Sequence, residues 1–514
     1  MPRALTTGRQ RTDALTMKII HVFAMLLVSL AAAWGAPQVF AEGESPDLTL
    51  SGRINGQDNH SYRLIPFTVP AGTVRITVEF GYTSRDQHTA LDLGLFDPNG
   101  FRGWSGGSKS IFTVSTSDAT ASYLPGFIVP GKWKLLIAVP NIRSNVTSDF
   151  VAKIYFSRTG SVASEPSVLT QPVLPKPAWY RGDLHSHTAH SDGSCRSQSG
   201  KEVPCPLFLT AQAASQRGLD FLAITDHNTT SHFSDMRELQ PYFDRLLLIP
   251  GREITTFQGH ANLYGTTDFV DFRVSSDSVP TWNELLKGLQ NRDVLLSVNH
   301  PSRQSGEDCM GCGWLPVPNV DWHLIHAMEA VNGDDTASSD SGIPLWQSKL
   351  NEGFRITGIG GGDNHNALAP LREPDSIGYP TTVVWAKSLS TGAILDGILA
   401  GRVFIDVTGS PDRLLELTAT SGAQHAAMGD MLRLAGGDSA VFQIRVHGVV
   451  GANVEVVQDG RTIRPLPSSQ VMQPDQLFSF EWTSDPGRHW FRVNARDPDG
   501  KLWLVGNPIY VNFK

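Results

Sequence analysis

Six histidines, two aspartates and one glutamate lie at or just beyond the ends of apolar, strand-like runs: His185, His187, Asp192, His227, Glu253, His260, His300, Asp363 and His365. Neutral imidazole and carboxylate are the ligands of borderline first-row divalent metals. One four-coordinate ion takes three or four protein ligands, so nine such groups suit two or three ions with bridging carboxylates. Cations so held bring the pKa of a bound water toward neutrality and supply hydroxide for hydrolysis. A lone histidine on a strand is more often a hydrogen-bonded core residue than a ligand. Nine polar groups on one rim, with no ion to satisfy them, would be costly to bury. The set therefore predicts a multinuclear metallohydrolase.

Spacing says which elements must carry these groups. His185 and His187 are two residues apart and project from the same side of a strand, and Asp363 with His365 repeats the arrangement. Between Trp179 and Thr408, strand-like runs such as "LDFLAITDHN", "RLLLIPGREIT", "HANLYGTT" and "DVLLSVNHP" alternate with stretches of helical spacing. The helical stretches are "CPLFLTAQAASQRG", "TWNELLKGLQNR", "IPLWQSKLNEG" and "TGAILDGILAGR", with Gly218, Gly353 and Gly401 placed to end three of them. Alternation of this length predicts a parallel sheet closed into a barrel, whose C-terminal strand ends converge on one face. No G-x-S-x-G elbow occurs in this segment, so no serine nucleophile is expected. Asp226 is expected to orient His227 or stand behind it. His190 is either a loop neighbour or a supporting group. Arg252 and Arg303 are the two cations that an anionic substrate could meet, although structural pairing is the plainer role for each. Loops 301–322, with Trp314 and Trp322, and 333–344 are expected to wall the pocket.

The flanks have a different texture. Short alternating runs broken by Asp97-Pro98-Asn99-Gly100 and Pro130-Gly131 predict an N-terminal β-sandwich over 42–165. A proline- and serine-rich linker near 160–178 leads into the barrel, 166–408. Residues 409–514 return to alternating strands with Asp-Gly and Asp-Pro turns and read as an immunoglobulin-like β-sandwich. Residues 1–41 read as a signal peptide: Arg3, Arg9, Arg11 and Lys18 precede an apolar stretch, and Val39-Phe40-Ala41 resembles a cleavage site. Met17 offers an alternative start. The stretch is short for a membrane span, which needs ~20 residues, so a periplasmic or secreted protein without stable membrane insertion is expected. A net charge of -8, with no basic cluster, argues against nucleic acid as a partner. Four cysteines allow three pairings. Cys195–Cys205 and Cys309–Cys312 are the simplest in an oxidising compartment, and a four-thiolate zinc knot is the alternative.

Five ordered segments, "DLHSHTAHSDG", "AITDHN", "GREITTFQGHANLYG", "SVNHP" and "GIGGGDNH", resemble the successive motifs of the PHP (polymerase and histidinol phosphatase) superfamily. The spacing and the β flanks are similar to its carbaryl-hydrolase-like (CehA/McbA) group. That resemblance implies an α/β fold, a distorted (β/α)7 barrel holding two or three manganese, zinc or iron ions. It implies that His185 and His187 bind one ion with Glu253 bridging to a second. Asp192 and His227 would serve a further ion, His260 and His300 would complete the second centre, and Asp363 with His365 would close the cluster. Catalytic roles fall to Asp363, His227 and Glu253. The implied activity is hydrolysis of carboxylic or carbamic esters, aryl carbamates included. The alternatives are a phosphoesterase and, from another class, a non-catalytic carbohydrate- or surface-binding module. A small-molecule ester or carbamate is the expected partner.

Overall fold

In the N-terminal part, eight strands form two four-stranded antiparallel sheets. They are β1 (Leu48–Asn55), β2 (Ser61–Val69), β3 (Thr73–Tyr82), β4 (Ala90–Asp97), β5 (Gly100–Gly106), β6 (Ile111–Ser115), β7 (Gly131–Asn141) and β8 (Thr147–Arg158). The sheets run β1-β8-β3-β6 and β2-β7-β4-β5. Alternating residues of both, among them Ile76, Val78, Phe112, Trp133, Leu135 and Ile154, meet in one buried core. The computed structural model describes residues 45–158, 169, 171–290, 292–306, 309, 311–370, 373 and 376–513, all within one unit, Val39–Lys514. The signal-peptide reading of residues 1–41 and much of the 160–178 linker lie outside the described residues. No helix among the described residues is long and apolar enough to cross a membrane.

A buried ion cluster ties this sandwich to the central part. Asp118, completely buried, pairs with Arg75 (2.7 Å) and with Arg237, while Arg75 also donates to Thr267 (2.7 Å). Burial works against the Asp118 charge, yet the two guanidiniums hold its carboxyl well below the usual range.

The central part begins with β9 (Ala178–Asp183) and a small hairpin, β10 (Ser194–Arg196) and β11 (Glu202–Pro204). There follow α1 (Leu207–Gln216), β12 (Phe221–Ile224), α2 (His232–Leu239), β13 (Leu247–Thr256), β14 (Gly259–Tyr264), α3 (Trp282–Leu289) and β15 (Leu295–Val298). Then come β16 (Ala327–Asn332), α4 (Ile343–Glu352), β17 (Thr357–Gly361), β18 (Thr381–Ala386), α5 (Thr391–Leu399) and β19 (Val403–Asp406). The short strands FLAI, LLSV and TGIGG are buried along their whole length, as expected of strands covered on both faces. Thr281 and Ser390 cap α3 and α5 by accepting from backbone N–H groups, and Gly353 ends α4 at φ 107.

The described molecule is mostly β with few helices, and it departs from regular strand-helix alternation. Pairs β9–β12, β12–β13, β15–β16 and β16–β17 are parallel, but β13–β14 and β14–β15 are antiparallel. The cause is the connection: only Phe257 and Gln258 separate β13 from β14, and parallel strands need a crossover of a dozen residues or more. The sheet also curls. Tyr180, Phe221, Ile249, Tyr264, Leu295, Ala327 and Ile359 come from seven strands and share one core cluster. Ser186 and Asn364, just past β9 and β17, form a parallel bridge, so the ends of this stretch meet.

The C-terminal part adds β20 (Leu414–Ser421), β21 (Gln424–Ala427), β22 (Met431–Leu432), β23 (Ser439–His447), β24 (Asn453–Gln458) and β25 (Arg461–Ile463). It ends with β26 (Asp475–Thr483), β27 (His489–Arg496), β28 (Leu502–Gly506) and β29 (Ile509–Val511). Sheet β21-β20-β23-β26 packs over a second layer through Leu417, Phe442, Ile444, Val456 and Phe491. That second layer is continuous with the central sheet, because β28 pairs with β19. No break in hydrogen bonding therefore marks residue 408.

Candidate metal centre

Glu253 is the hub. It sits on β13, is 1% exposed, and its two oxygens face five imidazoles. Oε2 lies 2.9 Å from His227 Nδ1, 3.5 Å from His185 Nε2 and 3.6 Å from His187 Nε2. Oε1 lies 3.2 Å from His260 Nδ1 and 3.3 Å from His300 Nε2. Asp363 Oδ1 completes one side, at 3.3 Å from both His185 Nε2 and His187 Nε2. Asp192 lies at the outer edge, 3.4 Å from His227 Nε2 and 3.4 Å from His365 Nε2, with its side chain 56% exposed. All nine side chains are thus brought into one continuous cluster.

Several strand ends converge to make it. His185 and His187 follow β9, His227 follows β12, and Glu253 and His260 lie on the β13–β14 hairpin. His300 follows β15, and Asp363 with His365 follows β17. Asp183, at the end of β9, holds two of these segments together. Its carboxylate accepts from the backbone N–H of His185 (3.1 Å), Gly362 (2.9 Å) and Gly378 (2.7 Å). Burial outweighs those donors and pushes the Asp183 carboxyl up to about 6. His300 (φ 25) and Asp363 (φ 49) occupy the left-handed region, where non-glycine residues are strained and are found at functional sites.

The donor set suits cations. His185 Nε2 and His187 Nε2 are buried without a hydrogen-bond partner, and both point at the Asp363 and Glu253 carboxylates. Two nitrogen or oxygen ligands each ~2.0–2.1 Å from one tetrahedral ion stand ~3.3 Å apart, which is the spacing seen here. The opposite ring nitrogens are engaged as ligating histidines require. His185 Nδ1 donates to Glu329 (2.7 Å), His300 Nδ1 to the Cys312 carbonyl (3.0 Å), and His365 Nδ1 to the Asp363 carbonyl (2.8 Å). Each bond fixes the tautomer that leaves Nε2 bare toward the cluster. Burial disfavours charge on His185, but Glu329, Asp363 and Glu253 outweigh it and raise its pKa. His227 is likewise pushed up to about 10, against burial, by Glu253 and Asp192. Burial lowers His187 instead, so the carboxylates favour positive charge at His185 and His227 but not at every ring.

Three supporting residues were not anticipated from the sequence. Glu329, fully buried on β16, accepts from His185 and also from the His300 backbone N–H (2.8 Å) and Asn332 (2.9 Å). Asn299 donates to Glu253 Oε1 (2.9 Å), and Asn332 accepts from Arg303 (2.9 Å). The signal was present for Glu329: a lone carboxylate inside the apolar strand AMEAVN has to be satisfied by something buried. A Cβ at Gly361 would stand 2.2 Å from Glu329 Oε1, so the glycine run of β17 is what admits this carboxylate. Exchanging Glu329→Gln is expected to weaken divalent-metal binding roughly 10–100-fold, read by competition with a chromophoric chelator. Unaltered affinity would remove Glu329 from this role.

The remaining expectations have mixed outcomes. Asp226 does not orient His227; it accepts from Thr188 N–H (2.8 Å), Thr188 Oγ1 (2.7 Å) and Ser191 Oγ (2.6 Å), and so shapes the turn leading to Asp192. His227 is met by Thr255 Oγ1 instead (2.5 Å). His190 bonds Ser231 (2.7 Å) and Asp235 (3.1 Å), on the α2 side. Arg252 is buried, stacks over Phe233 and donates to the Thr266 and Asp268 carbonyls, so it takes no part in the cluster. Arg303, by contrast, donates to Asp363 Oδ2 at 3.0 Å with its side chain 30% exposed. Trp314 packs on Trp282, and Trp322 lies under the Lys349 ammonium, so these rings serve the core and α4. The cysteines pair as Cys195–Cys205 and Cys309–Cys312, and no four-thiolate knot forms.

No family model matches the chain, and no curated protein matches it. Among solved structures it is similar to a two-domain protein from Bacteroides vulgatus containing a predicted PHP-like metal-dependent phosphoesterase. That similarity is at 16% identity and a TM-score of 0.35, over 66% of this chain and 97% of that one.

Proposed function

We propose that this protein is a metal-dependent hydrolase of the PHP type that cleaves carboxylic or carbamic esters at a centre of two or three divalent ions. The observation that carries the reading is the pair of buried, unpartnered nitrogens, His185 Nε2 and His187 Nε2, facing the Glu253 and Asp363 carboxylates. His185, His187, Asp192, His227, Glu253, His260, His300, Asp363 and His365 would hold the ions, of manganese, zinc or iron. Bound divalent cations bring the pKa of water toward neutrality and polarise the electrophilic oxygen. Asp363 would orient the attacking water and take its proton, while Glu253 and His227 keep neighbouring groups in place. Arg303, bonded to Asp363 and reaching solvent, would meet negative charge as it develops on the substrate. A phenol or naphthol leaves without protonation, so no general acid is required for aryl esters.

The remaining parts of the reading belong with it. The curled β9, β12–β17 stretch would be a distorted (β/α)7 barrel, flanked by a sandwich at 42–165 and an immunoglobulin-like sandwich at 409–514. The motif set favours the carbaryl-hydrolase-like group, and the substrate would be a small ester or carbamate. A signal peptide and two disulfides suit a periplasmic or secreted protein.

Arg303 favours a second reading, a phosphoesterase, because it sets a partly exposed cation beside Asp363, where a phosphoryl oxygen would carry negative charge. One experiment separates the two. Metal-loaded protein is assayed on p-nitrophenyl acetate, an aryl N-methylcarbamate and p-nitrophenyl phosphate, before and after chelation. The ester reading expects metal-dependent turnover of the first two. Turnover of phosphate alone, reduced in Arg303→Met by roughly 10²-fold or more, would replace it with the phosphoesterase. Turnover that survives chelation would overturn both.

A further inference from the structure

The Cys309–Cys312 pair has no role in the hydrolytic reading, yet Cys312 lies against the metal centre. One ring nitrogen of each of His260 and His300 and the sulfur of Cys312 lie within 4.8 Å of one another, and all three residues are buried. The Cys312 carbonyl accepts the Nδ1–H of His300. Cys309, the sulfur partner of Cys312, is only half-buried. We propose that Cys312 is a redox-gated metal ligand: reduction of the Cys309–Cys312 disulfide frees a thiolate that joins His260 and His300 on a divalent cation, and oxidation withdraws it.

Three features carry this. First, the two imidazoles and the sulfur make a nitrogen-nitrogen-sulfur donor set, and thiolate with imidazole is a preferred zinc environment. Second, the loop is held in position by bonds independent of the disulfide. Trp314 N–H donates to the Pro301 carbonyl (3.0 Å) and Gly313 N–H to Ser305 Oγ (3.0 Å). Gly311, at φ 77, presses on the β13–β14 turn so closely that a Cβ would stand 2.0 Å from the Thr256 carbonyl. The sulfur of Cys312 therefore stays beside the histidines after reduction. Third, C-x-x-C pairs are a common thiol–disulfide exchange unit, and Cys309 is the half-buried member while Cys312 is buried, which makes Cys309 the side for an external thiol to approach.

The chemistry balances with a dithiol as reductant. The dithiol gives two electrons and two protons to the Cys309–Cys312 bond and becomes a disulfide itself, leaving two thiols on the protein. Cys312 then releases its proton to solvent as its sulfur takes up the cation. Because soft sulfur favours zinc over manganese, the reduced protein would hold zinc at this position more tightly than the oxidised protein does. The consequence is a centre whose metal preference follows the thiol poise of its surroundings.

The inference rests on His260 and His300 being metal ligands, and cobalt separates the two questions. Full-length protein is loaded with cobalt(II), its metal content is measured, and near-ultraviolet absorption is recorded with and without a dithiol. The expected result is a sulfur-to-cobalt charge-transfer band in the reduced protein and in Cys309→Ser without reductant. The oxidised protein and Cys312→Ser are expected to lack the band. Cobalt bound in every state, with no band in either reduced protein or Cys309→Ser, would overturn the role of Cys312 and leave the metal centre standing. Failure of every form to bind cobalt would overturn the centre and the inference together.

Discussion

Glu253→Gln is expected to abolish metal-dependent hydrolysis while the protein still folds. The replacement keeps the volume and removes the charge at the point where five imidazoles converge. An amide nitrogen in place of Oε2 would turn a donor toward His185, His187 or His227, and an amide oxygen carries too little charge to balance two cations. Loss of one well-placed electrostatic group in a water-excluded site costs roughly 10²–10³-fold in rate, and on the proposed reading, in which Glu253 would be shared between ions, the loss should exceed the upper figure. The assay is kcat/KM on whichever substrate the wild type turns over, paired with metal content by mass spectrometry. Full metal content with full rate would show that Glu253 is only a structural acid.

The second large effect is on stability and lies far from the cluster. Asp118→Ala is expected to destabilise the protein by about 3–5 kcal/mol, because two buried guanidiniums lose a carboxylate that they share. Chemical denaturation followed by tryptophan fluorescence reads this as a lower midpoint. A combined Asp118→Leu, Arg75→Met, Arg237→Met variant should recover most of the loss, since apolar groups of similar size often replace a buried ion cluster at no cost. If the triple variant is as weak as the single one, shape and not charge governs the site. The pH dependence has a defined sign. The folded-state pKa of Asp118 is depressed, so its stabilisation is complete above the unfolded carboxylate value of ~3.9 and fades as pH falls below it. Between pH 5 and 8 this group contributes no slope.

The candidate ligands were legible because each lies at or just beyond the end of an apolar, strand-like run. The expectation that His185 with His187 and Asp363 with His365 ride on strands was too regular: both pairs stand just past β9 and β17, and Asp363 turns into the left-handed region at φ 49, where the alternation of a strand no longer applies. Helices α1, α3, α4 and α5 were legible through their apolar spacing and, at α1, α4 and α5, through Gly218, Gly353 and Gly401 just past their ends. Helix α2 was missed: it is short and polar, and Ser231 makes no side-chain cap. The β13–β14 reversal was readable from its two-residue connection but was overridden by the expectation of regular alternation.

What stayed hidden was the support around the ligands. Glu329 lies 144 residues from His185, and Asp183 ties β9 to Gly362 and Gly378, at separations of 179 and 195. Contacts so distant leave no local pattern. Arg252 and Arg303 could not be ranked from sequence for the same reason. Each follows or precedes a candidate ligand closely, and only packing turns one guanidinium toward backbone carbonyls and the other onto Asp363.

The most direct measurement is anomalous diffraction from crystals of the metal-loaded protein, collected at the absorption edge of the added ion. The account predicts two or three peaks between Glu253, Asp363 and the six histidines, each ~2.0–2.2 Å from its nitrogen and oxygen ligands. Well-ordered side chains in the arrangement described, with no anomalous peak among them at saturating metal, would contradict it.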